Sequence, residues 1–287
     1  MNPYHQFVSQ FEQLIKQGPS LPLGKAAMPQ HPAPGAQAAK VLIFSPHPDD
    51  EVIVGPLPLR FLRQSHLNVI NVAVTQGSNK ARQSGRWEEL THCCRYIGFG
   101  LLQTQPGGLE GINTKARANN PAAWSASVER IAQILSEHQP KAIFFPHAED
   151  WNSSHIGTHY LVMDALARMP SVFNCLTFET EFWGAMDAPN LMVESSVEDI
   201  ADLLTALSFH VGEVQRNPYH VRFPAWLIDN VRRGAELVGG QGGASPDFAF
   251  ATLYRLRRWK NQRLEDVLDK GRLLGRQEEP GALLRQG

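Results

Sequence analysis

At 287 residues the chain is long enough for one large α/β domain or two small ones. Lysine and arginine total 27 against 28 acidic residues, a balance that disfavours nucleic acid or an anionic membrane as the main partner. Three cysteines, Cys93 and Cys94 adjacent and Cys175 distant, form neither a disulfide framework nor a CxxC site and read as reduced cytosolic thiols.

The opening Met1-Asn2-Pro3-Tyr4-His5-Gln6 has no basic segment followed by an apolar core, so no signal peptide is expected. No apolar run reaches about 18 residues, so no membrane span is expected either, and the expected compartment is the cytoplasm. Residues 1–18 can form an amphipathic helix with Phe7, Phe11, Leu14 and Ile15 on one face. Gln17 to Lys40 is rich in Pro, Gly and Ala and reads as a linker or surface wrap. Val41–Phe44 is a buried strand, followed by a helix from about Asp50 to Arg63. Leu67–Val74, rich in β-branched residues, is a second strand, and Asn79–Tyr96 is a helix closed by Gly98. Phe99–Thr104 is a short third strand, and Pro121 opens a helix that runs to His138. Lys141–Pro146 is another buried strand, Ser154–Met169 a helix, and Cys175–Trp183 alternates as a strand does. From Val197 the chain reads as mainly helical, with Phe223–Val238 and Phe248–Leu274 as its later segments and Glu278–Gly287 as a frayed tail. Strands alternating with helices predict an α/β, Rossmann-like layered fold, its mostly parallel sheet flanked by helices.

Two clusters carry the chemistry, each at the end of an apolar strand. Ser45-Pro46-His47-Pro48-Asp49-Asp50-Glu51 packs an imidazole and three carboxylates into five residues, between prolines that stiffen the turn. Such a cluster is costly unless water or a cation neutralises it. The second runs from His147 through Glu149, Asp150 and Asn152 to His155 and His159. In a parallel sheet both strand ends open onto one edge, so the clusters can converge. Imidazole and carboxylate ligands without thiolate suit Zn²⁺ in an open site of three protein ligands plus water, with a spare carboxylate as base. No Gly-x-Gly-x-x-Gly loop follows the first strand, which disfavours a dinucleotide-binding alternative.

Pro46-His47-Pro48-Asp49-Asp50-Glu51 also resembles the opening motif of the PIG-L/LmbE-like zinc-dependent N-deacetylases. Thr75-Gln76-Gly77 resembles the family's Thr-x-Gly turn, Arg86-Trp87-Glu88-Glu89 its Arg-x-x-Glu helix, and His155-Ile156-Gly157-Thr158-His159 the segment bearing its second ligand histidine. Ala206–His210 and Arg232–Phe250 look like a degenerate C-terminal part. The resemblance covers about residues 40–255. It implies a PIG-L/LmbE-like domain at 41–255, preceded by a helix and linker at 1–40 and followed by a helix and tail at 256–287. It implies that His47, Asp50 and His155 hold zinc, that Asp49 is the general base, and that Arg86 hydrogen-bonds a sugar hydroxyl. The implied activity is hydrolysis of an N-acetyl group on a glucosamine-type sugar or glycoconjugate, and the family's habits allow a homo-oligomer. Where the family places a further histidine, three residues before the ligand histidine, this chain has Asn152. An amide can donate to an oxyanion but delivers no proton, so either Asp49 shuttles the proton, or His147, His159, His210 or His220 fills the role, or the activity is weakened.

Plainer readings stand beside these. His147 could replace His155 as ligand, and Arg86 could pair with Glu89 along its helix. Glu51 reads as a helix cap or a partner of His47, and Cys93 and Cys94 as buried helix residues. Trp87, Trp124, Trp151 and Trp183 read first as packing residues and second as sugar-stacking platforms.

Overall fold

The computed structural model describes residues 2–35 and 37–285. The helices in chain order are α1 (His5–Gln17), α2 (Asp50–Ile53), α3 (Pro56–Gln64), α4 (Gln83–Ile97), α5 (Ala116–Asn119), α6 (Pro121–His138), α7 (Ser153–Ala167), α8 (Val197–Leu207), α9 (Val211–Arg216) and α10 (Phe223–Leu237). The strands are β1 (Lys40–Ser45), β2 (Asn68–Ala73), β3 (Gly100–Gln103), β4 (Ala142–Pro146), β5 (Cys175–Thr180), β6 (Leu191–Glu194), β7 (Ala251–Lys260), β8 (Arg263–Asp266) and β9 (Arg272–Leu274). They form one sheet in the order β3-β2-β1-β4-β5-β7-β6-β9, with β8 paired to β7. β3, β2, β1, β4 and β5 run parallel, and β7 lies antiparallel between β5 and β6. This is the expected layered α/β fold with a mostly parallel sheet.

β1 and β4 are apolar almost throughout because helices cover both faces of the sheet at its centre. On one face Phe144 and Phe178 stack with ring centroids 4.6 Å apart, and Phe61 of α3 meets both edge-on. On the other, Leu42, Ile143 and Phe145 pack with Ile131 and Leu135 of α6 and Leu161 and Val162 of α7. Truncating a buried phenylalanine in such a layer costs about 3–5 kcal/mol. This packing fixes the carboxyl edges of β1 and β4 side by side.

Several expectations are corrected. The single helix expected from Asp50 to Arg63 is broken at Gly55, whose φ of 90° suits glycine and where a Cβ would overlap Thr252. Pro56 then starts α3 at its first helical position. Phe248–Leu274, expected to be helical, instead supplies β7, β8 and β9, so the expected boundary between residues 255 and 256 falls inside β7. Strand β6 was not expected. The segment expected to fray is docked: Pro280, Gly281 and Leu283 are buried, and buried Arg60 donates to the carbonyls of Gly275 and Glu278. Gln286 and Gly287 lie outside the described residues. Helix α1 forms as expected but buries none of its side chains, leaving Phe7, Val8, Phe11 and Leu14 exposed. No helix among the described residues is long and apolar enough to cross a membrane.

Candidate metal centre and active site

β1 and β4 are neighbours, paired through Val41–Ala142 to Ile43–Phe144, so the loops leaving them emerge together. The first loop carries His47, Asp49 and Asp50, and the second leads to His155 in the first turn of α7. His47 Nδ1 lies 3.2 Å from His155 Nε2, and Asp50 Oδ2 lies 3.5 Å from the first and 3.3 Å from the second. Ligands placed tetrahedrally about 2.0–2.2 Å from one small cation stand roughly 3.3–3.6 Å apart, so these three atoms have the spacing of a coordination face. His147, the alternative ligand, is held elsewhere. Its Nδ1 accepts from Glu149 N–H and its Nε2 faces Gly184 O at 2.9 Å.

The supports are as specific as the trio. His47 N–H donates to Asp50 Oδ2 (2.8 Å), and Thr75 Oγ1–H donates to Pro46 O (2.7 Å), which pins the turn to the end of β2. His155 Nδ1 faces Asp150 Oδ1 at 3.4 Å, and the other oxygen of Asp150 accepts from the amides of Trp183 and Gly184. Asp150 therefore orients the ring of His155 from behind, as an outer carboxylate does in metal sites. Asn152 caps α7, its Oδ1 accepting from Ser154 N–H at 2.9 Å.

Charges follow from this packing. Burial pushes the Asp50 carboxyl up, but the imidazoles of His155 and His47 outweigh it and hold it well below the usual carboxylate range. Burial pushes His155 down, yet Asp50 and Asp150 raise it to about 10. Without a cation, His155 is thus an imidazolium that supplies the positive charge the cluster demands. Burial, then the charge of Asp50, pushes Asp49 up to about 7. Asp49 has φ 113°, and its Oδ2 accepts from Tyr219 O–H at 2.5 Å. Its backbone N–H donates to Glu51 Oε2 (2.8 Å), whose other oxygen lies 2.6 Å from His210 Nε2. Glu51 therefore partners Asp49 and His210, not His47.

Arg86 is committed to structure on two sides. Its Nη2 donates to Pro48 O (3.1 Å), and its Nε lies 3.6 Å from Glu213 Oε1, a carboxylate also held by Arg82 and Arg216. Glu89, the partner expected by helical spacing, instead accepts from Gly212 N–H. A cleft of about 430 Å³ opens at His47, walled by Gly77, Lys80 and Gln83 on one side and by Glu110, Asn113 and Ser154 on the other. Arg86 and Asn152 are not among its lining residues. Trp124 is buried and donates through Nε1 to Asp164, Trp183 meets Tyr219 edge-on, and Trp151 stands exposed beside Asp150. Cys93 and Cys94 are buried, and burial pushes both thiols up, which leaves them inert.

Sequence reasoning missed Tyr219, Glu213 and the part played by Asp150. Asp150 lies in the loop after β4, five residues before His155, and a carboxylate so placed is a recognisable signal for an outer partner. Tyr219 and Glu213 carry no motif.

Residues 42–166 match the family PIG-L, described as GlcNAc-PI de-N-acetylase. No curated protein matches the chain in sequence. Among solved structures, the N,N′-diacetylchitobiose deacetylase from Pyrococcus horikoshii is similar with a TM-score of 0.56 at 16% identity, covering 89% of this chain and 94% of that one. A deacetylase in the biosynthesis pathway of teicoplanin gives a TM-score of 0.53 at 16% identity, covering 77% and 98%. The 4-carboxy-2-hydroxymuconate hydratase from Pseudomonas putida KT2440 gives 0.55 at 13% identity, covering 76% and 95%. At these identities the likeness is one of fold. The Pro46–Glu51 turn lies inside the matched residues 42–166, so the motif, the family match and the fold agree on a likeness to the PIG-L/LmbE-like family.

Proposed function

We propose that this chain is a zinc-dependent hydrolase that removes an N-acetyl, or related N-acyl, group from a glucosamine-type sugar or glycoconjugate. The observation that carries the reading is the convergence of His47 Nδ1, Asp50 Oδ2 and His155 Nε2 beside the buried carboxylate of Asp49. A zinc ion at those three atoms would supply a Lewis acid for the amide carbonyl and lower the pKa of a water toward neutrality.

The chain's own groups do the rest. Asp49, with a pKa near the working pH and its Oδ2 fixed by Tyr219, takes the proton of the attacking water. Asn152 has no proton to give. His147, His159 and His210 face Gly184 O, Pro146 O and Glu51 respectively, and His220 sits in a groove beneath residues 14–26. Asp49 therefore returns its proton to the departing nitrogen. Water and amide become acetate and a free amine. Lys80, Gln83, Asn113 and Ser154 offer the sugar hydroxyls donors and acceptors in a cleft of sugar size. Arg86, held to Pro48 O and Glu213, supports the turn and is proposed to act on the sugar only through it.

The family match and the two deacetylases of like fold support this reading. Because a hydratase shares the fold, the reaction class is argued from the site. The test is a panel of N-acetylglucosamine derivatives incubated with zinc-loaded protein, with amine release as the readout. Release from at least one sugar, with one zinc per chain, is expected, together with a loss of about 10²- to 10⁴-fold in Asp49→Asn. A zinc-loaded chain inert toward every member of the panel, or an Asp49→Asn variant with wild-type rate, overturns the reading.

A further inference from the structure

Asp49 is held in a backbone conformation that the chain uses nowhere else among its described non-glycine residues. His66, Gln139, Asn261 and Gln262 also have positive φ, but between 45° and 59°, inside the small left-handed basin open to L-residues. Asp49, at φ 113° and ψ −27°, lies outside it. Such a residue costs about 1–3 kcal/mol and persists only where its surroundings over-determine it.

The surroundings here come from two sides of one segment. Glu51 accepts the Asp49 N–H through Oε2, and its Oε1 meets His210 Nε2 at 2.6 Å. Tyr219 holds the Asp49 carboxylate by its other end. His210 and Tyr219 flank the short helix α9, so a stretch of ten residues grips both the backbone of Asp49, through Glu51, and its side chain. An ordinary helix cap would leave its carboxylate wet. Glu51 and His210 are fully buried and 159 residues apart in sequence. A buried ionic pair of this kind contributes little net stability against an apolar replacement, and its best-attested use is to fix one geometry.

We propose that Glu51 and His210 are positioning residues: a buried clamp that keeps Asp49 in its strained conformation and so aims its carboxylate at the water. The proposal rests on the reading of Asp49 as the base. Glu51, Cys93 and His210 are also of metal-ligating type and lie within 4.8 Å of one another. The 2.6 Å between Glu51 Oε1 and His210 Nε2 is a hydrogen-bond distance, shorter than the roughly 3.3 Å that two ligands of one ion keep. The pair is therefore assigned as a clamp and not as a second cation site.

The test uses the zinc-loaded full chain. Glu51→Ala and His210→Ala are expected to lower kcat on an N-acetylated sugar about 10- to 100-fold with KM nearly unchanged and one zinc per chain retained. His210→Gln, which keeps an N–H for Glu51, is expected to recover most of that loss. A second measurement needs no activity: in metal-free protein, Glu51→Ala is expected to lower Tm less with Asp49 than in an Asp49→Gly background, since a freed Asp49 relaxes its strain and offsets part of the loss, whereas glycine takes φ 113° without strain and has none to release. Should Glu51→Ala not fold, His210→Ala carries both comparisons. Wild-type kcat in the folded alanine variants overturns the clamp. So do equal Tm losses in both backgrounds, zinc lost in step with kcat, or a second zinc in wild type that His210→Ala removes. An active Asp49→Asn variant would instead sink the reading of Asp49 as base, and the Tm comparison would still report on the strained backbone.

Discussion

His47 Nδ1 and His155 Nε2 stand 3.2 Å apart although 108 residues separate them in sequence. Neighbouring parallel strands bring them there, and the carboxylate of Asp50 faces both. Two imidazoles and a carboxylate at this spacing need a positive charge among them, either a proton on His155 or a cation.

That requirement makes the metal-free chain sensitive to alkali. His155, raised to about 10 from an unfolded value near 6.5, contributes stability that is full below about pH 6.5 and lost as pH climbs through 10. Asp49, raised to about 7, acts in the same direction at lower pH, since ionising it in the folded state costs more than in the unfolded chain. With a chelator present, the urea midpoint is expected to fall steadily between pH 6 and pH 10. Saturating zinc should remove most of that fall, because a ligated imidazole has already given up its proton. A metal-free midpoint that rises over this range contradicts the assignment.

Tyr219→Phe removes the hydroxyl that holds Asp49 Oδ2. That hydrogen bond favours the ionised carboxylate, so its loss moves the Asp49 pKa upward. The acid limb of the kcat/KM profile is expected to shift to higher pH, and kcat to fall about tenfold, as for loss of one hydrogen bond to a charge. Stopped assays of amine release across pH 5–9 would show it. An unmoved acid limb would separate Tyr219 from the base.

Asp150→Ala leaves the ring of His155 unsupported and frees the amides of Trp183 and Gly184. Zinc affinity is expected to weaken about 10- to 100-fold, measured by competition with a chromophoric chelator. Asn152→Ala, which removes only the cap of α7, is expected to lower Tm while changing zinc affinity far less.

Gly157 lies on α7 where the cleft wall packs against it, and a Cβ there would stand 2.6 Å from the backbone nitrogen of Asn113. Gly157→Ala must displace the loop bearing Glu110 and Asn113, at a cost of about 1–3 kcal/mol for an overpacked site. Expected outcomes are a lower Tm and a raised KM with zinc content unchanged. A KM equal to wild type would mean that this wall does not meet the substrate.

The parts of this architecture legible in sequence are those with local signals. β1, β2 and β4 announce themselves as apolar, β-branched or aromatic runs, and the turn after β1 compresses its chemistry into five residues. That the loops after β1 and β4 can converge followed from topology, because parallel neighbours open onto one edge, whereas the choice of His155 over His147 came from the family resemblance. β7 was misread because Arg255, Arg257 and Arg258 interrupt its apolar alternation. Arg257 is matched by Glu179 on the neighbouring strand and Arg255 faces Asp266 in β8, pairings that no local window contains. Arg86 found Glu213 and not Glu89 for the same reason, and Tyr219 reaches Asp49 across 170 residues without a motif to mark it.

The place of β7 in the sheet sets a schedule for synthesis. β5 waits beside β4 with its other edge open until residues 251–260 arrive to pair with it, and β6 has no neighbour on that side until then. The seventy-odd residues between Thr180 and Ala251 take roughly 4–14 s to emerge at ribosomal speeds of 5–20 residues per second. Through that interval a nascent chain that already carries both halves of the metal centre presents an unpaired strand edge, the surface on which a chaperone or a second nascent chain would act first.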